Sequence, residues 1–75
     1  MAIAIRAARA AAGWSQAEMA ERVSASRITI LRIESGDTKP RPNLLEKIIE
    51  VFKQTGITMN MDGPIIITVD YKEKQ

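Results

Sequence analysis

The segment SQAEMAERVSASRITILRIE, residues 15–34, holds two short runs of helical period on either side of Ser24, Ala25 and Ser26. In the first run Met19, Ala20 and Val23 recur on one helical face. Ser15 stands three residues before Glu18, the capping-box arrangement in which each side chain serves the other's free backbone N–H. The spacing predicts a helix over about 15–23, too short to persist unless it packs on a neighbour. Ser26 is placed to cap a second helix over about 26–35, which Gly36 would end. At about 100° per residue, Thr29, Ile30, Ile33 and Glu34 share one side of this helix, while Arg27, Ile28, Leu31, Arg32 and Ser35 share the other. The first side offers isoleucines to a core. The second sets guanidinium groups among bare aliphatic side chains and points away from that core.

Working outward, AIAIRAARAAA at residues 2–12 is rich in the strongest helix former and stops at Gly13, without a clear N-cap at its start. GDTKPRP at residues 36–42 reads as a loop that carries Lys39 and Arg41 between helix-disfavouring prolines. A fourth helix is expected from Pro42 or Asn43 to Thr55, with Leu45, Ile48, Ile49 and Phe52 on its inner face and Gly56 at its end. The period then changes from helical to alternating. Ile57, Met59 and Met61, the turn residues DGP, and Ile65, Ile67, Val69 and Tyr71 together predict a β-hairpin over 57–71, leaving 72–75 as a solvated tail.

With 45% hydrophobic and 27% charged residues, these 75 positions describe one globular domain with room for one core. A domain of this size buries only about 60% of the surface its unfolded chain exposes, so a partner subunit is plausible. The chain has no Cys and no His, which removes disulfides, the common zinc ligand sets, thiol nucleophiles and the commonest general base. No Ser–Lys or close carboxylate pair suggests a pocket either, so neither an enzyme nor a metal or other cofactor is expected. The longest apolar runs fall far short of the roughly 20 residues of a membrane span, and no signal-peptide pattern opens the chain. A soluble cytosolic protein is the resulting expectation. Residues 1–45 hold seven Arg or Lys against four acids, and residues 46–75 hold four against five. The excess of positive charge toward the N-terminal part suits a polyanionic partner.

GWSQAEMAERVSASRITILRIESG, residues 13–36, resembles the Xre/Cro-type helix-turn-helix of phage repressors and small bacterial regulators. It shares the Gly-x-Ser-Gln-x-Glu-hydrophobic-Ala opening and the Ile-x-x-Ile-Glu-x-Gly close, and the likeness extends from about Ile5 to Gly56. It implies a mainly α fold, a four-helix phage-repressor-like domain over 1–56 followed by the C-terminal hairpin. It further implies that the helix over 26–35 lies in the major groove of double-stranded DNA, with Arg27, Ile28, Leu31 and Arg32 at base edges. Ser15, Gln16, Ser26, Lys39 and Arg41 would contact phosphates, and Arg9 with Glu34 would form an ion pair between the first and third helices. A guanidinium can bond guanine O6 and N7 together, whereas an aliphatic side chain can only touch a thymine methyl or exclude water. The sequence departs from the family pattern at Ser24, where a glycine is usual. That serine must take a positive φ or let the turn relax.

A two-stranded ribbon is marginal alone, and IIITVDY at residues 65–71 is β-branched almost throughout. Ile65, Ile67, Val69 and Tyr71 are therefore expected at a symmetric homodimer contact formed with the fourth helix. The implied function is a homodimeric, nucleoid-associated repressor reading a near-palindromic operator. The other reading is an antitoxin that binds a toxin protein through Ile28 and Leu31 or the hairpin, or else an interaction module without DNA binding.

Overall fold

Helix α1, Ala2–Ala12, buries Ala4, Ile5 and Ala8 along one stripe and leaves Ile3 on the surface. It closes with paired hydrogen bonds, Gly13 N to Ala10 O at 3.1 Å and Trp14 N to Arg9 O at 3.1 Å. The computed structural model describes residues 2–60 and 66–69, and within them three more helices and two strands follow: α2 Gln16–Arg22, α3 Arg27–Glu34, α4 Pro42–Gln54, β1 Ile57–Asn60 and β2 Ile66–Val69.

The serines act at both ends of the central turn. Ser15 in extended backbone accepts from Glu18 N at 3.0 Å, and Ser26 accepts from Thr29 N at 3.1 Å, so each helix starts with a satisfied donor. The capping box at α2 is only half formed. Glu18 turns its carboxylate toward Arg22, 3.1 Å away, instead of back to Ser15. At the end of α2, Ser24 N bonds Glu21 O and Ala25 N bonds Ala20 O, at 3.2 and 2.9 Å. The same two-bond closure ends α3, where Gly36 N reaches Ile33 O and Asp37 N reaches Arg32 O. Both closures need a left-handed residue. Gly36 supplies it at φ 82°, and Ser24 adopts it at φ 58° despite its Cβ. The turn between α2 and α3 therefore keeps its tight geometry under strain and does not relax.

Ile30 and Ile33 of α3 enter a core with Ile5, Ala8, Met19, Ala20, Val23, Ile48, Phe52, Ile57 and Met59. Trp14 joins it by stacking on Phe52, with ring centroids 5.1 Å apart and planes 14° from parallel, while Arg22 lies 4.4 Å over the indole. Arg22 is thus a lid on the core's edge. The inner face of α4 is turned from the expected one. Ile48 and Phe52 are buried as anticipated, but Leu44 and Val51 pack beside them, while Ile49 is 36% exposed and Leu45 only half-buried.

β1 and β2 pair antiparallel, with Ile57 opposite Val69 and Met59 opposite Ile67. Ile57 and Met59 face the core, as alternation requires. The ribbon lies against α1 as well as α4, so its support comes from both ends of the helical unit. Of the expected dimer residues, Ile67 and Val69 lie in β2, and Ile65 and Tyr71 lie outside the described residues, as do the turn DGP and the tail.

Candidate nucleic-acid interface

α3 is held from behind. Ile30 and Ile33 are buried on one side, and Glu34, only 3% exposed, extends under the helix to Arg9 of α1. Arg9 Nε donates to Glu34 Oε2 at 2.7 Å and one terminal nitrogen donates to Oε1 at 2.9 Å, while the other terminal nitrogen donates to Trp14 O at 2.9 Å. The hydrogen bond to Glu34 raises the pKa of the guanidinium above its ordinary value, against the opposite pull of burial. A buried carboxylate is tolerable only when paired and fully bonded, and here a bidentate fork meets that need.

Gln16 supplies a third donor to the same carboxylate, Nε2 to Glu34 Oε1 at 3.1 Å. The family resemblance assigns Gln16 to a phosphate. In the fold it is half-buried and ties the first residue of α2 to the last of α3. Among the described residues its second amide hydrogen and its carbonyl oxygen have no further hydrogen-bond partner.

The opposite face of α3 is open. Arg27 and Arg32 are exposed, Ile28 is 62% and Leu31 51% exposed, and Ser26 and Ser15 sit at the outer ends of α3 and α2. Among the described residues the ion pairs are Arg9 with Glu34 and Arg22 with Glu18, so neither Arg27 nor Arg32 is matched by a carboxylate. Where α3 meets the following loop and the start of α4, Arg32, Lys39 and Arg41 line a shallow hollow of about 260 Å³ together with Thr29, Thr38 and Asn43. Base-reading and phosphate-binding candidates are thereby brought to one place. Ser15 and Gln16, at the start of α2, do not line that hollow. Thr29 and Asn43 were not singled out in the sequence. Thr29 counts with the buried side of its helix, and Asn43 sits inconspicuously in the first turn of α4, where its Oδ1 accepts from the next residue's backbone, Leu44 N, at 2.9 Å.

Among the described residues no three acidic, His or Cys side chains gather as they would around a metal ion, and no helix is long and apolar enough to cross a membrane. A capped helix pair joined by a strained four-residue turn, with the second helix braced from behind and cationic in front, defines a helix-turn-helix domain. Residues 5–58 match the helix-turn-helix family model, and the chain belongs to this Xre/Cro-like family of DNA-binding transcription regulators. This family is a DNA-binding regulatory one and not an enzyme family. No curated protein matches the chain.

Proposed function

We propose that the protein is a homodimeric repressor that reads a near-palindromic operator by laying α3 in the major groove. One observation carries the reading: α3 buries Ile30, Ile33 and Glu34 and presents Arg27, Ile28, Leu31 and Arg32, its two arginines free of carboxylates among the described residues. Arg27 and Arg32 bond base edges, and Ile28 and Leu31 fill the groove between them. Lys39 and Arg41, with Ser15, Gln16 and Ser26, hold the backbone and set the register of the helix without reading sequence. Residues 1–56 form the DNA-binding part, and residues 57–71 with α4 pair two protomers through Ile65, Ile67, Val69 and Tyr71, ahead of the tail at 72–75.

Dimerisation follows from size. One recognition helix covers few base pairs and collects few phosphates, whereas a two-fold pair addresses half-sites about 34 Å apart. The repressor acts by occluding a promoter, in the cytoplasm at the nucleoid. Selection of bound duplexes from a random pool tests the reading. It should enrich an inverted repeat with half-site centres one helical turn apart, and sedimentation should give twice the chain mass. Enrichment of no sequence, or a monomer that binds a single asymmetric site, would overturn it.

A further inference from the structure

Ile28 and Leu31 are an unusual pair to leave in water, at 62% and 51% exposure on a helix whose neighbouring isoleucines are buried. They stand three residues apart, so their Cβ atoms lie about 5–6 Å from each other on one face. Successive base pairs rise by about 3.4 Å, so two such side chains reach groups on adjacent or next-nearest pairs. Neither side chain has a polar atom. Of the groups that base pairs show in the major groove, the C5-methyl of thymine is the one that is apolar.

The surroundings select nucleic acid over an apolar protein surface. Arg27 precedes Ile28 and Arg32 follows Leu31, and Lys39 and Arg41 lie beyond Arg32 around the hollow. A protein partner would have to answer four cations with acids around a two-residue apolar spot. The duplex answers them with phosphates and with guanine O6 and N7.

We propose that Ile28 and Leu31 are specificity-determining residues that read thymine methyl groups, so that each half-site carries one or two thymines facing the middle of α3 with guanine on at least one side. This rests on the reading of α3 as the groove-facing helix. The test starts from the duplex recovered by the wild-type protein from a random pool. Each thymine of the half-site is replaced in turn by deoxyuridine, which keeps every hydrogen-bonding group and removes the methyl alone. Burial of one methyl-sized group corresponds to about a fourfold change in Kd, so one or two positions should weaken binding by about that factor. In Ile28→Ser and in Leu31→Ser, both exposed positions that the core does not use, the matching penalty should vanish. If the protein still selects a sequence but deoxyuridine changes Kd less than twofold everywhere, or the penalties persist in both variants, the methyl reading fails while α3 remains the reading helix. If no sequence is enriched at all, the reading of α3 fails with it.

Discussion

Removal of Arg9 probes the brace behind the recognition helix. In Arg9→Ala the carboxylate of Glu34, whose side chain is 2% exposed, loses two of its three donors and its one counter-charge among the described residues, and Trp14 O loses its partner as well. Leaving one member of a buried pair uncompensated costs about 3–5 kcal/mol. Arg9 is itself 21% exposed, so water can enter where it stood, and the lower figure of about 3 kcal/mol applies. A domain of this size has a total stability of only about 4–11 kcal/mol, and each kcal/mol shifts its Tm by about 4–8 °C. Arg9→Ala should therefore lower the Tm by about 12–24 °C. Glu34→Leu should cost less, about 1–2 kcal/mol, because the stranded guanidinium can still turn to solvent. The double change Arg9→Ala with Glu34→Leu removes both charges and should cost about 2 kcal/mol, less than Arg9→Ala alone, so the coupling in the cycle is about 2–3 kcal/mol. Urea denaturation followed by the fluorescence of Trp14, the chain's single tryptophan, measures all four proteins. A loss below about 1 kcal/mol for Arg9→Ala, or Glu34→Leu proving the more damaging of the two, would refute the reasoning.

Ser24→Gly should stabilise the protein by about 0.5–1 kcal/mol, because the strain at φ 58° outweighs the entropy that glycine loses on folding; a falling Tm would mean that the serine side chain holds the turn. Ile33→Ala, which empties a site 2% exposed at the back of α3, should cost about 2–5 kcal/mol by chemical denaturation, whereas Leu31→Ala on the front should stay within about 0.5 kcal/mol. Lys39→Ala and Arg41→Ala should each reduce the slope of log K against log salt by about 0.9, read by fluorescence anisotropy on a labelled duplex; unchanged slopes would remove both residues from the phosphate contact.

The elements that local chemistry determines were legible in the sequence. Ser15 and Ser26 mark the helix starts, Gly13 and Gly36 mark ends, and the 3.6-residue period separates Ile30 and Ile33 from Arg27, Ile28, Leu31 and Arg32 without outside help. α4 was read one step out of rotation for a physical reason. LLEKIIEV is apolar at 44, 45, 48, 49 and 51, so two overlapping stripes satisfy the period, and only the position of the helix against the core selects Leu44 and Val51 over Leu45 and Ile49. Contacts between distant residues were harder to see. Gln16 meets Glu34 across 18 positions, and Arg22 covers Trp14 through the fold of α2 back onto the core. Neither leaves a periodic trace in the chain. The hollow lined by Arg32, Lys39 and Arg41 shows the same limit, since each cation is visible alone but their convergence comes from the angle at which the loop returns to α4.

The division between residues that read and residues that anchor is tested most directly by repeating the duplex selection with Arg32→Ala and with Lys39→Ala. The first variant should recover a site relaxed at one base pair of each half-site, where a guanidinium fork contributes about 1–3 kcal/mol of discrimination. The second should recover the wild-type sequence with uniformly weaker binding. An unaltered consensus from Arg32→Ala, or the same alteration from both variants, would contradict the account.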